Sequence, residues 1–274
     1  MLRDITLGQY YQTESIIHEL DSRVKLSGTL LFIFSLFFFK NPVGYVIAAL
    51  FLCVVIRLSK VPFKYMVRGM KSILILLLMT VFFNLFLTQG SPIFKIWKIT
   101  VTWEGLSLAI TMAVRLTMLI IGSSIMTLTT TPNNLTDGME KGLRPLKIFK
   151  VPVHEVAMMM SIALRFIPIL LEETDKIMKA QLARGADFES GNLIKRAKAM
   201  VPLLVPLFIS AFRRANDLAM AMEARCYRGG DGRTKMKPLI YKKKDYYAYL
   251  FLLIYMVVSI TLGRLEVFNI IPAA

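Results

Sequence analysis

Residues 73–87 read ILILLLMTVFFNLFL. The stretch carries no charge, and its apolar residues follow one another without alternating with polar ones. Continuous apolarity of that kind makes a helix immersed in lipid; a barrel strand, wet on one face, would alternate. The same reading extends outward to LLFIFSLFFF (30–39) and YVIAALFLCVVI (45–56). It extends further to GLSLAITMAVRLTMLIIGSSIMTL (105–128), which carries one arginine, and to YYAYLFLLIYMVVSITL (246–262). With their flanks these runs approach the roughly 20 residues that cross a bilayer as a helix. The expected fold is an all-α integral membrane protein with about five transmembrane helices and a cytoplasmic domain of long helices.

The composition agrees. The 274-residue chain is 55% hydrophobic with a mean hydropathy of +0.57, too apolar for an ordinary soluble domain. The first twenty residues include Asp4, Glu14 and Glu19, so no cleavable signal peptide is expected. Cys53 and Cys226, His18 and His154 are scattered, which predicts neither a disulfide framework nor a metal site.

The net charge of +16 is unevenly placed. Arg57, Lys60, Lys64, Arg68 and Lys71 crowd the loop between the second and third runs. Residues 131–245 hold 21 Lys and Arg against 12 Asp and Glu. The loop after the third run has only Lys95 and Lys98, and the C-terminal tail only Arg264. By the positive-inside rule the N-terminus and 131–245 are cytoplasmic and the C-terminus is outside. The basic run 233–244 is explained by topology control and anionic lipid, so no nucleic-acid partner is expected. The chain divides into 1–128 (the first four spans), 129–245 (the cytoplasmic domain) and 246–274 (the last span and tail).

The cytoplasmic segment is too long for a simple loop. Its opening is rich in turn signals, with a short helix expected over Leu135–Leu143 capped by Asn134 or Thr136. Val156, Met159, Met160, Ala163, Leu164 and Ile167 then recur at helical period, with Pro168 as a kink. After Leu171 the run Glu172, Glu173, Asp175, Lys176, Lys179 is too polar for lipid. A second helix is expected to be broken by Pro202 and Pro206 and regular from about Leu203 to Tyr227, with Leu207, Ile209, Phe212, Leu218 and Met222 on its stripe. Methionines at 158, 159, 160, 178, 200, 220 and 222 fit either plain packing or an adaptable contact surface.

Both long helices end alike. AQLARGAD (180–187) and AMEARCYR (221–228) each contain Ala-x-x-Ala-Arg. Gly185 stands where a helix wants a left-handed residue, and Arg184 complements the helix dipole. Cys226 is a poor left-handed residue, so the second helix is expected to run on to Gly229-Gly230. The small residues permit close approach and each guanidinium offers a planar fork for a carboxylate. Ordinary capping explains one such end; two equivalent ends point to two equivalent grooves on a dimeric or pseudo-dimeric partner.

The sequence resembles the transmembrane coupling (T) component of energy-coupling factor transporters. SIIHELDSRVKL (15–26) is similar to that family's N-terminal signature, through Ser15, His18, Leu20, Asp21, Arg23, Lys25 and Leu26, with Ser22 where proline is common. TTTPNNLTDGMEKGLRPLKIFKVPVHEVAMMMSIALRFIPILLEE (129–173) is similar to its central region. The resemblance implies a coupling subunit in the cytoplasmic membrane, for uptake of a vitamin or other micronutrient. It implies docking to two ATP-binding-cassette ATPases through Ala183-Arg184-Gly185 and Ala224-Arg225-Cys226, where Cys226 departs from the usual glycine. It implies, too, an apolar face that holds a small hydrophobic substrate-binding subunit. The candidates for that face are Met158, Met159, Met160, Leu164, Met178, Met200, Leu207, Met220 and Met222.

The chain has no G-x-x-x-x-G-K-[ST], so ATP and magnesium belong to the partners, and no cofactor or catalytic residue is expected here. Two rival readings remain. Glu172-Glu173 suggests an intramembrane enzyme, without histidines in other spans to complete it. Arg115 and Asn84 suggest a stand-alone permease, since a mid-span ionisable residue is a functional candidate, although Arg115 bonded to Asn84 or to backbone carbonyls would be purely structural.

Overall fold

The computed structural model describes residues 10–39, 41–71, 73–96, 99–188, 192–229, 236 and 238–264. Gly230, Lys98, the start of the 233–244 basic run and the tail after Arg264 lie outside these residues. Contacts divide the chain into a Gly142–Pro238 unit and a unit of Gly8–Lys141 with Leu239–Ala274. The sequence set these limits at 129 and 245. They move inward because the helix over 132–142 and the stretch before the last span pack on the membrane unit.

In the membrane unit a single turn, α1 (Ile16–Glu19), precedes α2 (Ser22–Phe38), α3 (Pro42–Ser59), α4 (Phe63–Lys71), α5 (Leu74–Leu87) and α6 (Trp103–Thr129). Then come α7 (Pro132–Gly142) and, after the inserted unit, α10 (Lys243–Arg264). All five apolar runs lie on helices: α2, α3, α5, α6 and α10. α3 and α6 are long and apolar enough to cross a bilayer unaided, and α5 is a shorter apolar helix. One feature was not foreseen: an antiparallel hairpin of β1 (Pro92–Ile96) and β2 (Ile99–Thr102) precedes α6. Its loop-side anchor is Glu104, which accepts the Ser91 backbone N–H at 2.8 Å.

Burial follows the solvent this unit expects. Its core is small and aromatic: Phe32, Leu36, Phe39, Tyr45, Ala48, Met66, Ile125 and Tyr255 are among the buried members. Phe34, Phe38, Leu50, Ile75, Leu76, Phe82 and Leu253 point outward, as lipid-facing residues must. Gly122 brings α6 onto α2; a Cβ there would sit 2.7 Å from the Phe32 ring.

The signature residues near the N-terminus fasten the unit together. Ser15 accepts the His18 backbone N–H, and the His18 ring bridges the Ser15 hydroxyl and the Tyr11 carbonyl. Asp21 caps α2 and takes a two-point ion pair from Arg23 at 2.8 and 3.0 Å. The Asp21 N–H donates in turn to the buried Asp245 carboxylate at 2.8 Å, across 224 positions of sequence. Burial pushes the Asp21 carboxyl up, but the hydrogen bonds and charge of Arg23 outweigh it and hold the group below the usual carboxylate range. Arg23 stacks on Tyr241 at 3.7 Å. Lys25 donates to the carbonyls of His18 and Thr129, closing the end of α6. Arg23 and Lys141 both donate to the Leu239 carbonyl, at 3.2 and 3.0 Å. The chain therefore leaves this unit at Lys141 and re-enters it at Leu239 through two points joined by one hydrogen bond.

α7 starts three residues earlier than the sequence suggested. Pro132 takes the first helical position and the Thr131 hydroxyl accepts the Asn134 N–H at 3.3 Å, so Thr131 does the capping expected of Asn134 or Thr136.

Candidate functional site

The inserted unit consists of a 3-10 helix (Arg144–Phe149) and two long helices, α8 (Val153–Ala183) and α9 (Leu193–Ala224). α8 runs through Pro168 and α9 through Pro202 and Pro206 without interruption. The expected break in α9 does not occur: each proline forfeits one ladder bond, while Leu203, between them, is buried and anchors that turn. The front of α8 is apolar enough that the helix qualifies by length and composition as a span.

The two helices run antiparallel. Glu173 pairs with Arg214 at 3.1 Å, and the Gln181 side-chain amide lies 3.4 Å from the Pro202 carbonyl. Ile162, Phe166 and Leu170 of α8 face Ala211, Ala215 and Leu218 of α9 across a cavity of about 260 Å³. Glu173 thus takes part in a helix–helix ion pair. Among the described residues no cluster of His, Cys, Asp or Glu could hold a metal.

Both arginine-bearing ends close in the same way. At the end of α8, Gly185 adopts a left-handed φ of 84°. Its N–H bonds to Leu182 O at 3.0 Å, and the Ala186 N–H reaches Gln181 O at 3.0 Å. At the end of α9, Cys226 adopts a left-handed φ of 55°. Its N–H bonds to Glu223 O at 2.8 Å, and the Tyr227 N–H reaches Met222 O at 3.0 Å. This pair of bonds is the Schellman closure, and in both copies the arginine is the C-cap itself. The expectation that α9 would run on to Gly229-Gly230 fails here. Two carbonyls satisfied by the closure outweigh the cost of a Cβ in the left-handed region, of order 1 kcal/mol. Cys226→Gly should accordingly raise the stability of this unit by about 1 kcal/mol and leave the shape of the end unchanged. Hydrogen exchange at Cys226 and Tyr227 in the two proteins would measure it.

Arg184 and Arg225 are exposed. Among the described residues neither guanidinium makes a hydrogen bond or an ion pair within the chain. Arg225 opens onto a groove of about 600 Å³ with Met158, Ser161, Arg165, Phe166 and Arg228 on its walls. Because α9 ends beside Ser161 and α8 ends at Arg184, about 35 Å of α8 separates the two tips, at 1.5 Å per residue.

The methionine candidates separate. Met158 and Met222 line the groove between the helices and are half-buried. Leu164, Met178 and Leu207 are half-buried too, and Met159, Met160, Met200 and Met220 are exposed. A further uncovered apolar stripe lies on α9: Val201, Leu204, Val205, Phe208, Ile209 and Phe212. Its spacing of 201, 205, 208 and 212 is helical and readable in the sequence, but Pro202 and Pro206 disguised it as a broken segment.

Arg115 and Asn84 belong to the membrane unit and do not hydrogen-bond to each other. Arg115 donates twice to the Tyr45 hydroxyl, at 2.9 and 2.5 Å. Asn84 donates to Thr80 O of its own helix at 2.8 Å. The Asn84 partner suggested for Arg115 is replaced by Tyr45, whose ring and hydroxyl give the cation a place inside the bundle.

Residues 13–236 match the family model CbiQ, described as cobalt transport protein. The chain belongs to the CbiQ family. The matched region includes both arginine-capped ends and stops before α10. Several relatives resemble about nine-tenths of the chain or more. The energy-coupling factor transporter transmembrane protein EcfT of Clostridium kluyveri is 56% identical, over 95% of this chain and 97% of its own length. The protein of the same name from Thermosediminibacter oceani is 53% identical over 91% and 94%, and that from Bacillus subtilis 49% over 89% and 93%. This CbiQ-family chain is thus a T component of the energy-coupling factor type and a membrane protein of the cell membrane. The stand-alone permease gives way to it.

Proposed function

We propose that this chain transmits ATP-driven motion from two ATP-binding-cassette ATPases to a small, hydrophobic, substrate-binding membrane subunit, for uptake of a vitamin or other micronutrient. The observation that carries the proposal is the pair of identical, arginine-capped helix ends about 35 Å apart on one antiparallel helix pair. Two equal tips so separated suit two equivalent acidic grooves on a homodimeric or heterodimeric partner. Arg184 and Arg225 engage carboxylates there, with Ala183, Gly185, Ala224 and Cys226 giving the backbone close approach.

ATP and magnesium are held and turned over in the ATPases, and this chain does no chemistry. The α9 stripe from Val201 to Phe212, with Met159, Met160, Met200 and Met220, receives the substrate-binding subunit. Closure of the ATPases moves the tips, the helix pair moves with them, and the subunit on its apolar face reorients to release substrate inside. The N-terminus and the inserted unit are cytoplasmic and the C-terminus is outside.

The test is uptake in a transport-deficient host. Expressed alone, the chain should leave uptake at background. Expressed with the ATPases and a substrate-binding subunit from the same genome, it should restore uptake. Uptake by the chain alone would overturn the proposal.

A further inference from the structure

The segment RPLKIFKVP (144–152) has a cation at every third position: Arg144, Lys147 and Lys150. Its structure has the same period. Residues Arg144–Phe149 form a 3-10 helix, in which i and i+3 eclipse, and Lys150 closes it as a left-handed C-cap whose N–H bonds to Lys147 O at 3.0 Å. Arg144 and Lys147 therefore share one ridge, about 6 Å apart at 2.0 Å rise per residue. All three cations are exposed.

Beside this ridge the apolar residues are also uncovered. Ile148 is 84% exposed and Phe149 76%, and Leu143 and Val151 flank them in the open. Two adjacent large apolar side chains left this bare are costly in water, roughly 1.5–3 kcal/mol each relative to burial.

We infer that this 3-10 segment is an interfacial anchor for anionic lipid. Ile148 and Phe149 enter the boundary between headgroups and acyl chains, while Arg144, Lys147 and Lys150 bind the phosphates around them. Two observations favour a lipid surface over a protein as occupant. The charge pattern fits: apolar residues bracketed by cations match an anionic leaflet, and each cation near such a surface is worth about 1 kcal/mol. The reach fits as well. Lys141, tied to Leu239 O, is the last residue of the membrane unit, and Arg144 lies three residues on, within about 10 Å of extended chain. The bilayer concerned is the one the protein already spans, at the Thr129 end of α6. The inference needs the chain to be a membrane protein and does not depend on ATPase docking.

The experiment uses the full chain, without partners, in nanodiscs. Cys53→Ala and Cys226→Gly remove the native thiols. Phe149→Cys, or in a second protein Ile148→Cys, carries an environment-sensitive fluorophore, and Asn216→Cys on exposed α9 is the comparison. Discs are made of phosphatidylcholine alone or with phosphatidylglycerol, each with or without lipids brominated near the glycerol end. The expected result is a blue-shifted probe at 148 or 149, quenched by the shallow bromines and more so with phosphatidylglycerol. Lys147→Gln with Lys150→Gln should cut the difference between the two compositions by roughly 25-fold, each cation contributing roughly fivefold to partition. Emission equal to that at 216 in both discs overturns the inference. So does a blue shift that appears only when the purified substrate-binding subunit is added, which would make the occupant a protein.

Discussion

Reversing both tip charges, Arg184→Glu with Arg225→Glu, should strip the ATPases from the purified complex while the chain stays in the membrane. Both side chains are exposed C-caps, so the change removes no packing. The Schellman closures are made by backbone groups and survive it. The loss is confined to contacts with the partner. Truncating one member of a buried, hydrogen-bonded interfacial charge pair costs about 2–5 kcal/mol, and reversal adds repulsion. Two such sites amount to a drop of well over a hundredfold in affinity. The measurement is co-purification from the native host, with Lys243→Ala as a control. ATPases retained by the double mutant would disprove docking through these arginines, and single mutants would show whether the tips are equivalent.

Placing carboxylates on the α9 stripe should give the opposite dissociation. Phe208 is 60% exposed and Phe212 68%, so Phe208→Asp with Phe212→Asp leaves the helix pair intact. Each aromatic is sized to be an interfacial anchor, worth about 2 kcal/mol or more when truncated. An unpaired carboxylate carried into an apolar contact costs several kcal/mol beyond that. The expected complex keeps both ATPases, loses the substrate-binding subunit, and transports at background while still hydrolysing ATP. Retention of the subunit would move the contact to another face, with Met159 and Met160 the next to test. The two double mutants together separate the two docking surfaces, because neither set of side chains lies on the other's.

The apolar runs and the end of α8 were legible in the sequence, since both depend on local rules. Charge-free apolar runs choose helix in lipid, and glycine after arginine stops α8 at Ala183. What stayed hidden depends on partners distant in sequence or on closures that override propensity. Cys226 is left-handed because two backbone hydrogen bonds require it, whatever its side chain prefers. Pro202 and Pro206 sit inside a continuous helix in which Leu203, between them, is buried. The role of Asp21 is set by Asp245, and that of Arg115 by Tyr45; neither pairing has a local signature. The hairpin over 92–102 is too short for its alternation to rise above the surrounding loop. The division of the methionines needed the antiparallel pairing of α8 and α9, which decides which side of each helix is covered.

The tie between Lys141 and Leu239 also bears on biosynthesis. The membrane unit is interrupted by the inserted one, and α10 is made only after that unit. During synthesis the Asp21 N–H and the Arg23 side chain wait about two hundred residues for the groups that complete them. Until Asp245 emerges, the front of α2 lacks its buried acceptor, and an open seam remains where α10 belongs. Contacts of such long sequence separation are the slow, vulnerable step in assembly. Quality control that samples this seam would act on a chain whose coupling helices are already finished, so damage to α10 should surface as degradation of the nascent protein before any transporter forms.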